Sequence, residues 1–506
     1  MLLAVSRTLT AQQAHPLFDS LQYRTELQTT LSSGDHTPLW LSANRYGLSS
    51  LKTSNGYLRG AVRRPLERDS AFQWGVGYGV DLALAAGFTS TLVVQQAYVE
   101  GRWLKGVLTL GSKEWPMELK NGQLSSGSQT FGINARPVPQ LRLALPDYWT
   151  VPYTRNWLAV KGHVAYGMQT DDRWQKDFTR QQTRYTEHSL YNSKAVYLRI
   201  GPRNITLEFG LEMACQFGGR IHVLEQGATE LSDVECSQGV KDFWHALIPG
   251  GHDATDGDYH NAEGNHLGSW VARLNFDYPS WNLGFYADHY FEDNSSMLHL
   301  SYDGYGTGNE AWTKKDYRFF LHDFKDWMLG AELKLKQQPW LDDVVVEYLY
   351  TKYQGGPIYH DHTRTISEHI CGRDQFYNHS LYTGWQHWGM VMGNPLYLSP
   401  LYNSDGTIRV MNNRFVAWHI GLSGSPLRHL QYRLLATWQR GYGTYDALYM
   451  DDPHENVSLM GEAIYSLRGN WQLKAAIGID SGKIYGDNVG VQLTVARTGI
   501  LNFRRK

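Results

Sequence analysis

The stretch WNLGFYADHY, residues 281–290, alternates without a break over its first eight positions. Trp281, Leu283, Phe285 and Ala287 fall on one face, and Asn282, Gly284, Tyr286 and Asp288 on the other. A period of two is the signature of a β-strand with unlike faces. The fold depends on whether the apolar face meets a protein core or lipid.

The same pattern recurs along the chain. Ile205, Leu207, Phe209, Leu211 and Met213 oppose Thr206, Glu208 and Glu212; Trp327, Leu329, Ala331, Leu333 and Leu335 oppose Glu332, Lys334 and Lys336. Leu430, Tyr432, Leu434, Ala436 and Trp438 oppose Gln431, Arg433 and Gln439, and Trp471, Leu473, Ala475, Ile477 and Ile479 oppose Gln472, Lys474 and Asp480. Val489, Val491, Leu493 and Val495 close the series, and further strands are expected from about Gly56, Phe72, Leu92, Val107, Asn156, Tyr191, Trp270, Tyr317, Val344, Phe415 and Val457. Short connections such as Pro202-Arg203, Tyr278–Ser280, Pro426–Arg428 and Arg468–Asn470 separate long polar ones at 215–267, 292–315 and 441–456. Short turns on one rim and long loops on the other are the habit of outer-membrane barrels. Lys325-Asp326 and Pro339–Asp343 read as consecutive short turns, so an added strand within 381–392 (LYTGWQHWGMVM) is needed to restore parity. The total is then about 18, even as single-chain bacterial barrels require.

Three features set lipid against the alternative of a soluble sandwich. The polar faces carry Glu208, Glu212, Glu332, Lys334, Lys336, Glu462 and Lys474, as a wet lumen would. Trp103, Trp281, Trp327, Trp438 and Trp471 end the apolar faces, where interfacial girdles lie. The strands run about 9–11 residues, enough to cross a tilted bilayer. The expected fold is all-β: a transmembrane, outer-membrane antiparallel barrel.

Composition agrees. Tyr (32), Trp (18) and Gly (50) are abundant in 506 residues, and no apolar run is long enough for a helical span. A net charge of −2 leaves no basic excess for nucleic acid. Residues 1–14 resemble a signal-peptide remnant with cleavage near Ala11 to Ala14, which implies export; 15–50 then form a small N-terminal periplasmic segment and 51–506 the barrel with its long extracellular loops. Cys215, Cys236 and Cys371 contain no Cys-x-x-Cys, so neither a disulfide framework nor a zinc site is indicated; Cys215 and Cys236 either pair across a loop or remain thiols.

Several segments resemble the capsule assembly protein Wzi family, in particular its Bacteroidetes members. They are PLWLSANRYG (38–47), QQAYVEGRW (95–103), LTLGSKEWPMELKNGQLSSG (108–127), FGINARPVPQLRLALPDY (131–148), KGHVAYGMQTDDRWQ (161–175), YNSKAVYLRIG (191–201), GLEMACQFGG (210–219), GNPLYLSPLYN (393–403) and NNRFVAWHIGLSG (412–424). The resemblance implies a barrel of about 18 strands in the outer membrane of a Gram-negative bacterium. It also implies a lectin-like part in capsule assembly, holding capsular or other surface polysaccharide at the cell exterior.

For chemistry, Lys113, Glu114, Glu118 and Lys120 could supply a hydrolytic carboxylate pair, but an ionic network filling the barrel, with Arg136 joining it, fits inward-facing charges better. HDATDGDYHNAEGNH (252–266) only partly fits a calcium loop, so no metal or cofactor is assigned, and Asp256 and Asp258 read as polar groups for sugar hydroxyls. No Gly-x-Ser-x-Gly elbow accompanies any serine, and the expectation is a non-enzyme. The long loops carry Tyr302, Tyr305 and Trp312, then Tyr442 and Tyr445, with Trp385 and Trp388 flanking Gln386-His387. Aromatic rings stack on the C–H faces of sugars while neighbouring polar groups bond the hydroxyls. These residues are the expected polysaccharide-binding set; the alternative for each is a girdle or loop-stiffening role. The expected partners are polysaccharide and outer-membrane lipid, with the chain a monomer. An open porin or uptake channel is the main rival, and an outer-membrane glycan hydrolase a lesser one.

Overall fold

The computed structural model describes residues 21–66, 73–224, 231–248, 264–292, 298–305, 309, 314–321, 325–358 and 372–501. Eighteen antiparallel strands, from Leu21–Ser33 to Asn488–Leu501, form one sheet that closes on itself. The closing pair is first on last, with Leu21 opposite Leu501 and Ser33 opposite Val489. Closure removes the edge strands that an open sheet of this width would expose.

The opening stretch answers its own question. In the strand Trp281–Glu292, Phe285 is 48% exposed on the outside, while Tyr286 and Asp288 are buried inside. Leu329, Leu434, Ile477, Leu493 and their neighbours continue an apolar belt around the barrel. Trp74, Trp103, Trp149, Trp157 and Trp471 are exposed near the short-turn ends of their strands, the level of an interfacial girdle. No helix among the described residues is long and apolar enough to cross a membrane.

Two strands escaped the sequence reading and two expected ones are absent from the barrel. Leu21–Ser33 pairs with Ser54–Arg64 on one side and Asn488–Leu501 on the other, so the assignment of 15–50 to a separate periplasmic segment is corrected. Its outer face mixes Thr25 and Thr29 with Leu27 and Leu31, which blurs the alternation. Gln140–Thr150 is the other omission; a register shift between Leu145 and Trp149, around Pro146-Asp147, breaks its period. Conversely, the segment expected from Tyr317 belongs to a hairpin, Leu298–Tyr305 with Lys314–Leu321, outside the barrel sheet. Within 381–392 there are only two-residue strands, Gln386–His387 and Met390–Val391, paired with each other. Lys325-Asp326 ends a long connection instead of forming a short turn, which removes the parity problem. The expected total is right because the two pairs of errors cancel.

Connections alternate between rims as barrel topology requires. The strand ends joined by 34–53, 113–139, 169–189, 218–264, 293–326, 351–414, 442–453 and 483–487 lie at one rim, together with those joined by the five-residue link 87–91. The opposite rim has short turns, among them Leu104-Lys105 and Arg428-His429. By the rule for such barrels the short-turn rim is periplasmic and the other extracellular. Residues 1–14, Asp256, Asp258, Trp312 and Cys371 lie outside the described residues. Cys215 and Cys236 are not joined in a disulfide across the loop.

Three of the long segments turn inward and fill the lumen. The short helix Leu39–Ser42 is buried, with Leu39 N–H donating to Asp480 Oδ2 (2.9 Å) and Trp40 Nε1–H to Thr437 Oγ1 (3.1 Å). Segment 113–139 meets 372–414 through Gly132 N–H to Met392 O (2.9 Å), Trp385 Nε1–H to Thr130 O (2.9 Å) and Asn394 Nδ2–H to Gly127 O (3.0 Å). Leu124, Tyr377, Val391, Leu396 and Tyr397 form one core with the inward strand residues Tyr286, Met328, Val345 and Ala417. The interior that was expected to be wet is therefore packed: Glu212, Glu332 and Glu462 are buried. The charges of Glu332 and Glu462 are answered locally, as buried charges must be, and Glu212 accepts a hydrogen bond from Tyr197 Oη–H at 2.7 Å. Arg273 Nη2 bonds Glu332 Oε2 at 2.6 Å, and Glu462 has Arg433, Arg45 and Lys474 within 3.1–3.4 Å. Gly330 is a packing requirement in this interior. A Cβ there would lie 2.2 Å from the Tyr286 ring, whose hydroxyl donates to Glu347 Oε1 at 2.5 Å.

Candidate functional site on the extracellular rim

The rim cluster is built where three long connections, 293–326, 351–414 and 442–453, meet their strands. After the strand Leu430–Gly441 the chain turns at Thr444, whose N–H bonds Ala447 O (3.0 Å), and an isolated bridge joins Gly443 to Leu448. This short arch is anchored below by Arg414, the residue before the strand Phe415–Leu427: Tyr442 N–H donates to Arg414 O at 2.8 Å.

Tyrosine rings and cations alternate over this surface. Lys352 Nζ lies 4.2 Å from the Tyr442 ring centre, and the Arg414 guanidinium 3.8 Å from that of Tyr445. Lys325 Nζ sits 3.6 Å from the Tyr353 ring, and Tyr445 Oη–H donates to Tyr353 O at 2.6 Å. Such stacks hold both the ring and the cation in place. Beside them Asp446 gathers Arg373 (2.8 Å), Arg409 (2.5 Å) and Gln375 (2.5 Å). Burial would raise the Asp446 carboxyl, but hydrogen bonds from Gln375 and Arg409 and the charges of Arg409 and Arg373 outweigh it, holding it below the ordinary aspartate value. Tyr449 stacks on His454 at 3.7 Å, and Met450 at the tip is 91% exposed. Fixed aromatic bodies with amide, carboxylate and guanidinium groups between them can stack on a sugar ring and bond its hydroxyls or an acidic substituent.

Of the residues expected from sequence, Tyr442 and Tyr445 lie together in this cluster. Tyr302 and Tyr305 belong to the hairpin strand Leu298–Tyr305. Trp385 does not reach the rim. It is 1% exposed, stacked on Tyr191 with ring centres 5.8 Å apart, and presents no open face to a sugar. Trp388 is half-buried beneath the Arg136 guanidinium, 4.4 Å away, with Nε1–H directed to Thr170 Oγ1 (3.4 Å). Of the charges expected to form an inner network, Lys113 pairs with Glu100 (2.6 Å), Lys120 with Asp288 (2.7 Å), Glu114 with Arg59 (3.3 Å) and Glu118 with Lys161. Arg136 departs from that expectation and bonds Ser90 and Thr89, each at 2.8 Å. Among the described residues no group of His, Cys, Asp and Glu is placed to hold a metal ion.

The sequence reading missed Lys325, Lys352, Tyr353, Arg373, Arg409, Arg414 and Asp446. Their signal was positional: Tyr353 follows, and Arg414 precedes, a strand legible from its alternation, so both had to stand at the rim.

A family model described as "Capsule assembly protein Wzi" matches residues 28–321, more than half of the chain. Among solved structures, the Escherichia coli outer-membrane protein Wzi, involved in group 1 capsule assembly and described as a carbohydrate-binding β-barrel, superposes with a TM-score of 0.54 at 13% identity. That match covers 95% of this chain and 85% of the other. Pseudomonas aeruginosa OprD aligns with a TM-score of 0.43 at 10% identity, covering 96% and 95% of the two chains. Acinetobacter baumannii OccAB4 gives 0.43 at 10%, covering 96% and 99%. No match was found among curated protein sequences.

Proposed function

Since this chain belongs to the capsule assembly protein Wzi family, an outer-membrane barrel family of Gram-negative bacteria, we propose that it is a non-enzymatic, monomeric lectin that retains capsular or other surface polysaccharide at the cell exterior. The observation that carries this reading is the extracellular cluster of Tyr442, Tyr445 and Tyr353, stacked with Lys352, Arg414 and Lys325 around Asp446. It presents stacking surfaces and hydrogen-bonding groups suited to a sugar ring and its hydroxyls. The packed lumen supports this reading over the porin alternative: Tyr377, Val391, Leu396 and Tyr397 are each 0% exposed across the barrel interior.

Each aromatic contact with a sugar contributes on the order of 1 kcal/mol. Retention then comes from many weak contacts along one repeating polymer, where linked sites multiply affinity. A strain carrying Tyr305→Ala, Trp312→Ala, Tyr442→Ala and Tyr445→Ala together tests the proposal. Once the variant barrel is confirmed in the outer membrane, cell-bound and shed polysaccharide are measured. The expected result is normal synthesis and export with polymer shed to the medium. A surface layer at the wild-type level in a full deletion strain would overturn the lectin reading.

A further inference from the structure

At the opposite end of the barrel the described residues leave part of the lumen open. A cavity of about 460 Å³ lies between the strands Leu21–Ser33, Ser54–Arg64, Trp74–Ala86 and Asn488–Leu501, with Asn470 of a short turn at its edge. We propose that this cavity is a second binding site, entered from the periplasm, that takes the anionic residue of an acidic saccharide.

The charge arrangement points to an anion. Arg24, Arg59 and Arg63 line the cavity with Asp81 and Glu114. Both carboxylates are engaged by Arg59: its Nε and Nη2 donate to Asp81 at 2.8 and 2.5 Å, and Nη2 reaches Glu114 at 3.3 Å. Arg24 pairs with the buried Glu26. Arg63 has no carboxylate partner among the described residues; its Nε–H donates to Gln22 Oε1 at 2.9 Å, and the side chain is exposed at the mouth. A guanidinium with its two terminal amino groups free is matched to a planar carboxylate or a phosphate.

The shape points to something larger than an inorganic ion. Ala61 stands between Arg59 and Arg63 on the same face of its strand, so the room between the two guanidiniums is left by a methyl group. Gly79 leaves room for the Tyr98 ring; a Cβ there would lie 2.8 Å from it. Gln22, Gln96, Asn470 and Thr498 add amide and hydroxyl groups, the partners that sugar hydroxyls use. The volume falls in the range of small-ligand sites. Toward the outside the cavity is roofed: Gln95 Nε2 donates to Glu114 Oε1 (2.8 Å) and to Tyr46 O (2.9 Å), and Leu48, Tyr57, Ala83 and Val93 pack above. A ligand held here cannot be the polymer held at the outer rim.

The test uses the whole protein in detergent micelles and titration calorimetry. The probes are a glucuronate–N-acetylglucosamine disaccharide, the same disaccharide with its carboxyl reduced to the alcohol, and inorganic phosphate. The acidic disaccharide is expected to bind, and both carboxyl reduction and Arg63→Gln to weaken binding about tenfold or more, as loss of a charge-assisted pair does. Ala61→Phe, checked for folding by its gel shift on heating, fills the cavity and should abolish binding, whereas the pair Tyr442→Ala, Tyr445→Ala should leave it unchanged. Equal affinity in the wild type, Arg63→Gln and Ala61→Phe overturns the proposal, as does no binding to the wild type. Loss only in the Tyr442, Tyr445 variant would assign the ligand to the outer rim instead. Phosphate binding as tightly as the disaccharide would overturn the saccharide assignment.

Discussion

A single carboxylate holds much of the extracellular arch together. Asp446 draws Arg373 and Arg409 from one long connection onto another, and Gln375 joins them. Because its carboxyl titrates below the ordinary aspartate value in the folded protein, its contribution is fully present above the unfolded value and is lost as pH falls through the lowered folded one. Limited proteolysis should therefore find the 442–453 arch protected in the wild type at neutral and mildly acidic pH, with protection falling only below the usual aspartate range. Asp446→Asn should make the same arch more readily cut at pH 7. Equal cleavage of both proteins at pH 7 would show that the ion pairs do not order the arch.

At the scale of one strand, the two faces of Trp471–Gly482 answer to different solvents. Leu473, Ile477 and Ile479 are exposed on the bilayer side, while Lys474 points inward to Glu462 at 3.4 Å. Ile477 lies at mid-strand, near the bilayer midplane, so Ile477→Arg should cost about 2–4 kcal/mol in a lipid folding assay. Lys474→Gln should cost far less, because Arg45 and Arg433 remain on Glu462. Comparable losses at both positions would mean that the register is shifted by one residue, which would exchange the faces of the whole strand.

For the molecule as a whole, the packed interior makes a prediction about conduction. The inward segments 113–139 and 372–414 are joined to each other, and Ser125 Oγ–H and Ser126 N–H hold the first to Glu347 of the barrel wall at 2.6 and 2.8 Å. Planar-bilayer recordings of the intact protein should show no steady open channel. Replacing 382–399 with a short Gly-Ser linker should produce one, because Trp385, Val391 and Tyr397 leave the lumen core with it. Steady conductance in the intact protein would favour the porin reading.

What the sequence determined by itself was the barrel: a lipid-facing strand must alternate, because one face meets hydrocarbon and the other does not, and Phe285 against Tyr286 already records that difference. Even so, the alternation fails where the two environments converge. Leu21–Ser33 carries threonines outward, and Gln140–Thr150 is broken by its bulge. The plug was invisible to periodicity for a related reason. Trp385, His387, Val391 and Leu396 are enclosed on every side, so no face of that segment is distinguished from another and composition alone looks strand-like. The rim cluster lay further out of reach. Lys325, Lys352 and Asp446 come from three different connections, and only closure of the barrel, which stacks the ends of successive strands at one rim, brings them within 2.5–4.2 Å of their partners. Local chemistry sufficed for the wall because each strand meets the membrane independently; the plug and the sites depend on contacts between segments far apart in the chain, which only the tertiary structure decides.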